Sequence, residues 1–134
     1  MTRSRRFWLA LPALFGARTI YAGLVHGPLV LTPLVYTRFP AAMNPAMNLP
    51  ALLGVEALIS VLFVSAYASH FRGRRPGWPA AVGFGSILGL LIYLPQNLLN
   101  LILLQSVGPP LVLAWIAAGV LSGIVSALVL RAIL

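Results

Sequence analysis

The chain has 134 residues, of which 60% are hydrophobic and only 7% charged, and its mean hydropathy is +0.99. A soluble domain carries about a quarter charged residues, so this chain cannot coat its own surface with polar groups and lipid must surround most of it. It contains no cysteine, which excludes disulfides, thiolate chemistry and cysteine-ligated metal sites.

Four long apolar segments predict transmembrane helices at approximately 7–35, 49–69, 80–104 and 111–130. A run of about 20 apolar residues is long enough to cross a hydrocarbon core of about 30 Å. The breaks between the segments hold proline or glycine, which stop helices. We therefore predict an all-α fold, a four-helix transmembrane bundle that occupies residues 1–134 as one domain.

The arginine residues predict how this bundle is oriented. The formal net charge is +8, which would suggest nucleic acid in a soluble protein. Here the arginines lie at the ends of apolar segments, so we interpret them as topology signals and contacts to anionic lipid headgroups, with no nucleic-acid partner. Arg38 falls on one side of the predicted bundle, and the other side carries Arg3, Arg5, Arg6, Arg72, Arg74, Arg75 and Arg131.

This asymmetry predicts that both termini are cytoplasmic and that the protein lies in a bacterial inner (plasma) membrane. The N-terminal arginines and the apolar run after them also mimic a secretory signal. Because the apolar pattern continues past Arg18 without a small-x-small cleavage site, we expect an uncleaved first span.

Glu56 is the only acidic residue of the chain, and it lies inside the second apolar segment. A carboxylate at this depth needs a partner, and the first segment holds one cation, Arg18. At about 1.5 Å per helical residue, Arg18 lies about 18 Å and Glu56 about 21 Å above the arginine-rich edge. Their matching depths predict an ion pair between adjacent antiparallel helices.

Other polar and aromatic side chains come out at similar or slightly greater depth, between about 22 and 30 Å. Together with the ion pair they predict a polar pocket that leans toward the outer side and binds a ligand. The alternative is that these groups only satisfy one another and fix the helix register. The predicted set is Arg18, Tyr21, His26, Glu56, Tyr93, Gln96, Asn97 and Trp115.

Glycine pairs with i, i+4 spacing occur on three of the four segments, at Gly23/Gly27, Gly85/Gly89 and Gly119/Gly123. Small residues at this spacing let helix backbones approach closely in a membrane. The pattern predicts a tight bundle, and it leaves open whether the faces meet within one chain or between chains of a homo-oligomer or larger complex.

Several other patterns do not support a specific site. His26 and His70 lie at different depths, so one haem cannot bridge them, and two histidines and one glutamate are too few for a zinc or di-iron site. We therefore predict no metal and no cofactor. Asn44-Pro45-Ala46 matches the aquaporin tripeptide but occurs once and is typical of a turn. The chain has no aspartate, which excludes Ser-His-Asp catalysis.

The segment 67–97 contains Tyr-Ala-Ser-His-Phe-Arg-Gly-Arg-Arg-Pro-Gly-Trp and, further on, Tyr-Leu-Pro-Gln-Asn. It resembles small uncharacterised bacterial four-span integral membrane proteins. The resemblance implies the same topology and no particular activity.

The function we expect is binding of a small or lipidic molecule in the outward-leaning pocket, or service as a subunit of a membrane complex. A proton-coupled transporter that uses Glu56 is the alternative. An intramembrane enzyme with Glu56 or His26 as general base is a further alternative, although no nucleophile is marked.

Overall fold

The protein is all-α, with four long helices and short connecting elements. A computed structural model of the chain describes residues 3–26, 31–34, 36–38, 49–72, 74–103 and 107–134. A single 3-10 turn covers Tyr36–Arg38. The α-helices are α1 (Arg3–His26), α2 (Leu31–Leu34), α3 (Leu49–Phe71), α4 (Trp78–Leu103) and α5 (Pro109–Ile133).

The four long helices, α1, α3, α4 and α5, are each long and apolar enough to cross a membrane. Their outward surfaces carry large apolar side chains, for example Ile102, Leu113 and Leu91, which are 77%, 67% and 65% exposed. Exposed aliphatic residues in such number are unfavourable in water and favourable in lipid. The four predicted apolar segments are therefore confirmed as helices.

The helices begin and end at somewhat different residues from the approximate spans, and proline explains two of these differences. The first segment was predicted to run to Val35, but α1 ends at His26, two residues before Pro28, and Leu31–Leu34 is a separate short helix. Proline disfavours helical backbone in the residue before it. In contrast, α5 begins at Pro109 rather than at Leu111. Backbone N–H groups in the first turn of a helix have no partner within the helix, so the N–H that proline lacks is not missed there.

The tightest helix pair is α4 with α5, where the glycine pairs of the two helices meet within the chain. A Cβ atom on Gly85 would lie 2.5 Å from the carbonyl oxygen of Gly123, and one on Gly89 would lie 2.9 Å from that of Gly119. Only glycine permits this approach. A Cβ atom on Gly23 would meet no atom of another described element within 4 Å, so Gly23 makes no such contact with the part of the chain that the structure describes. Gly27 lies outside the described residues.

α1 packs against both α3 and α5, and α3 also contacts α5. One face of α1 is therefore turned toward the other long helices. Ala10, Leu14 and Arg18 follow one another on this face at intervals of four residues, and each is at most 1% exposed. This is the helical periodicity of a buried stripe, and it brings Arg18 into the middle of the bundle.

The N-terminal part of α1, residues 74–78 and the last turn of α5 lie together at one end of the bundle, which we call the arginine end. Arg131 donates from Nε to the carbonyl oxygen of Pro76 at 3.0 Å, and its guanidinium lies 3.6 Å from the ring centre of Trp78. Next to it, the rings of Tyr67, Phe71 and Phe84 pack against one another. These aromatic residues belong to the apolar core that also contains Leu14, Phe63 and Leu130.

Candidate functional site

Arg18 is the centre of a polar network that joins all four long helices. Its side chain is 1% exposed, so water does not solvate its charge. A guanidinium group has five N–H donors and no acceptor. Each of these donors therefore needs an acceptor from the surrounding helices, since an unsatisfied buried donor is costly.

Glu56 of α3 supplies the counter-charge. Arg18 donates from Nε to Glu56 Oε2 at 2.9 Å, and Nη2 lies 2.8 Å from the same oxygen. The ion pair predicted from the matching depths of the two residues is thus present. Both contacts reach Oε2, so the pair differs from the two-oxygen fork that arginine often forms with a carboxylate.

Three hydroxyl groups accept the remaining N–H groups of Arg18. Nη1 donates to Ser122 Oγ at 3.0 Å and to Ser126 Oγ at 3.2 Å, both on α5, and Nη2 donates to the phenolic oxygen of Tyr93 on α4 at 2.8 Å. Ser126 donates its own hydroxyl to the carbonyl oxygen of Ser122 at 2.7 Å. That bond orients the oxygen so that its lone pairs are available to the guanidinium.

The face of the guanidinium is covered as well as its edge. The ring centre of Phe63 lies 5.4 Å from Arg18 Cζ, a favourable cation–π distance. Phe63 is fully buried and follows Glu56 and Ser60 on the inward face of α3. Ser60 donates to the backbone carbonyl of Glu56 at 2.7 Å, which satisfies its hydroxyl within the helix. Arg18 is therefore held on its edge by polar groups and on its face by an aromatic ring.

The two charges of the pair differ in exposure. The side chain of Glu56 is 12% exposed, whereas that of Arg18 is 1% exposed. Arg18 thus lies at the closed interior of the network, and Glu56 lies at its edge. Any molecule that approaches the network meets the carboxylate before the guanidinium.

The other residues of the predicted pocket are distributed around this network. Tyr21 donates its hydroxyl to the carbonyl oxygen of Ala118 at 2.7 Å, which fastens α1 to α5. Asn97 is buried and donates to the carbonyl oxygen of Tyr93 in its own helix at 2.7 Å. His26 and Gln96 are exposed, and the contacts described above do not include them.

Trp115 lies in a different part of the bundle from Arg18. It packs with Val107, Leu111 and Val112 in a separate apolar cluster near the start of α5. The predicted set therefore divides: Arg18, Glu56 and Tyr93 touch one another, Tyr21 and Asn97 bind backbone carbonyls of α5 and α4, and Trp115 belongs to another cluster.

The sequence prediction missed Ser122, Ser126 and Phe63 as contacts of Arg18. Counted from Arg131 at about 1.5 Å per helical residue, both serines come out closer to the arginine-rich edge than Arg18, and neither was included in the predicted pocket. A side chain on a helix leans toward the N-terminus of that helix, and the N-terminus of α1 lies at the arginine end. The guanidinium therefore sits closer to this end than its own Cα, at the level of the serines.

Comparisons of the chain with protein-family models, with curated proteins and with solved structures found no match.

Proposed function

We propose that this protein is an integral membrane protein of a bacterial inner membrane, with the arginine end on the cytoplasmic side, and that it binds a small polar or lipidic molecule beside Glu56. The four long apolar helices support insertion. The positive-inside rule supports the orientation, because seven of the eight arginines other than Arg18 lie at or near the ends of apolar segments on the side that we assign to the cytoplasm.

The observation that carries the binding proposal is the exposure of Glu56 next to a saturated, buried Arg18. The carboxylate is 12% exposed at the edge of the network, and the guanidinium is 1% exposed behind it. A carboxylate accepts hydrogen bonds and attracts cations. The ligand class that matches it is therefore a molecule with hydrogen-bond donors, such as an amine, an amide or a polyol, with or without an apolar tail.

His26 and Gln96 support an approach from the outer side. Both are exposed, and both follow the network residues of their helices in the direction away from the arginine end. His26 also lies within electrostatic range of Glu56. These side chains offer polar contacts to a ligand whose head reaches toward the carboxylate. The apolar core that includes Tyr67, Phe71 and Phe84 makes the opposite approach unfavourable for a polar ligand.

Proton-coupled transport is the second candidate, and one feature of the network favours it. Ser122, Ser126 and Tyr93 hold Arg18 through neutral oxygens, so the guanidinium keeps these hydrogen bonds when Glu56 takes up a proton. Glu56 can then exchange a proton for a cationic substrate while the Arg18 guanidinium keeps its hydroxyl acceptors. Binding is the better-supported function because the buried side chains between Arg18 and the arginine end are mainly apolar, among them Leu14, Val64 and Leu130, and offer few polar groups to a transported molecule.

Native mass spectrometry of the detergent-purified chain tests the binding proposal. We expect wild type to retain a non-covalently bound molecule, Gln96→Leu to retain less of it, and Glu56→Gln to lose it. Ser86→Ala is the matched control, and we expect this variant to keep the bound mass. Ser86 donates its hydroxyl to the carbonyl oxygen of Val82 in its own helix at 2.9 Å.

Gln96→Leu separates ligand contact from folding, because Gln96 is exposed and lies outside the Arg18 network. An unliganded wild type, or an equal bound mass on Glu56→Gln, contradicts the proposal. The transport candidate is tested separately in proteoliposomes. There Glu56→Gln abolishes proton-coupled flux if the candidate is correct, and unchanged flux in this variant removes it.

A further inference from the structure

A second candidate site lies at the arginine end, at the opposite side of the apolar core from Glu56. A cavity of about 300 Å³ opens there, bordered by Arg6, Arg75, Ala132, Ile133 and Leu134. Two guanidinium groups from separate parts of the chain thus meet the apolar last turn of α5. The binding proposal above does not involve this cavity.

The arginines of this cavity have no carboxylate side chain to pair with anywhere in the chain. Glu56 is the one acidic residue of the sequence, and Arg18 engages it inside the bundle. The C-terminal end of α5 also borders the cavity and offsets part of the positive charge. Arg72 and Arg74, both exposed and close in sequence to Arg75, keep the region strongly positive.

A buried hydroxyl group near the same arginines lacks an acceptor. Tyr67 is 2% exposed, and among the described residues its hydroxyl is the buried side-chain polar atom without a hydrogen-bond partner. It lies within electrostatic range of Arg75 and Arg131. Buried hydroxyls in folded proteins are nearly always satisfied. Tyr67 does not border the cavity, so this hydroxyl is a feature of the neighbouring core and is not a ligand of an anion in the cavity.

The level of the cavity in the bundle matches that of lipid headgroups. The ring of Trp78 stacks on Arg131, and tryptophan and arginine are typical of the membrane interface. The cavity is bordered by two cationic side chains, Arg6 and Arg75, and by the apolar residues 132–134. Its volume of about 300 Å³ is at the lower end of the range for pockets that enclose a complete drug-sized ligand, about 300 to 1,000 Å³. A whole phospholipid is larger than such a ligand, so the cavity suits the headgroup alone.

We propose that this cavity binds the phosphate group of an anionic glycerophospholipid, with Arg6 and Arg75 as its ligands. Arginine suits this role because its planar fork donates two parallel hydrogen bonds to phosphate oxygens. The headgroup phosphate lies between the two guanidinium groups, and the acyl chains follow the apolar outer surface of the bundle into the membrane.

The test uses the full-length chain in a neutral detergent, titrated with phosphatidylglycerol and followed by native mass spectrometry. Phosphatidylcholine with the same acyl chains is the zwitterionic control lipid. Glycerol phosphate, the headgroup without chains, distinguishes a lipid site from a site for free phosphate. We expect phosphatidylglycerol to bind about tenfold or more tightly than either, a difference of about 1.4 kcal/mol. The choline cation of phosphatidylcholine is repelled by the arginines, and glycerol phosphate lacks the acyl chains that contact the apolar surface.

Arg6→Gln and Arg75→Gln each weaken phosphatidylglycerol binding about tenfold, because each removes one guanidinium from the cavity. Arg5→Gln and Arg74→Gln are matched controls with the same loss of charge at neighbouring exposed positions that do not border the cavity, and they weaken binding by less than about threefold.

The four arginine variants distinguish a built site from diffuse attraction. Equal weakening by all of them overturns the proposal, as does binding of glycerol phosphate as tight as that of phosphatidylglycerol. Unchanged unfolding transitions of the variants show that the fold is intact, since the substituted arginines are exposed. Glu56→Gln retains phosphatidylglycerol binding, so failure here is distinguishable from failure of the site beside Glu56.

Discussion

Substitutions in the Arg18 network are expected to lower the free energy of unfolding by an amount that depends on the charge of the acceptor removed. Loss of the carboxylate costs more than loss of a hydroxyl. Glu56→Gln removes the counter-charge and leaves Arg18 buried among neutral oxygens. Breaking a buried ion pair by removal of one partner costs about 3–5 kcal/mol. Because glutamine keeps one acceptor oxygen and Glu56 is 12% exposed, we expect the lower end, about 3 kcal/mol.

The hydroxyl acceptors are worth less than the carboxylate. Ser122→Ala, Ser126→Ala and Tyr93→Phe each remove one neutral acceptor at 3.0, 3.2 and 2.8 Å from the guanidinium. We expect each to lower the free energy of unfolding by about 1–2 kcal/mol, the cost of leaving one buried donor unsatisfied. Tyr93→Phe has the largest effect of the three because its hydrogen bond is the shortest.

The double variant Arg18→Met/Glu56→Leu provides the decisive comparison. It removes both charges, and the serine hydroxyls remain satisfiable because Ser126 already donates to the carbonyl of Ser122. Replacement of a buried ion pair by apolar residues of similar volume is often neutral or stabilising. We therefore expect the double variant to be more stable than either single variant.

The assay is reversible unfolding in mixed micelles with increasing SDS fraction, followed by far-UV circular dichroism. It gives the free energy of unfolding for each variant and the coupling energy of the double-mutant cycle. Additive losses in the double variant refute the ion pair as a coupled unit. A loss for Ser122→Ala as large as that for Glu56→Gln refutes the ranking by acceptor charge.

Other features of the bundle give further predictions. Gly123→Ala forces α4 and α5 apart, since its Cβ would lie 2.9 Å from the Cα of Gly89, and lowers the free energy of unfolding by about 1–3 kcal/mol in the same assay. The matched Gly54→Ala, where no neighbouring atom lies within 4 Å, is neutral or stabilising, and equal losses contradict the packing argument. Tyr21→Phe costs about 1 kcal/mol, since it removes the hydrogen bond to the carbonyl of Ala118; no loss indicates that this bond does not stabilise the α1–α5 contact. On intact cells, a membrane-impermeant maleimide labels Leu49→Cys but not Gly77→Cys in this cysteine-free chain, and the reverse pattern inverts the proposed orientation.

The sequence by itself determined that the chain forms four long apolar helices, and it predicted the contact between Arg18 and Glu56. Uninterrupted apolar segments predict helices in lipid, because each backbone polar group must be satisfied within its own segment. Glu56 is the only acidic residue of the sequence, and Arg18 is the one arginine inside the predicted spans, at a matching depth. Each of the two charges therefore has one candidate partner of opposite charge within these spans. These conclusions need only composition, segment length and helical rise.

Only the tertiary structure decided which hydroxyls complete the network and which glycine faces meet. Depth along a helix does not give the direction in which a long side chain leans, so Ser122 and Ser126 were not predicted as acceptors for Arg18. The glycine spacing was the same on three segments, yet α4 and α5 pair through it while Gly23 makes no such contact with the described elements. Helix order and rotation in a bundle arise from contacts between segments, which no single segment encodes.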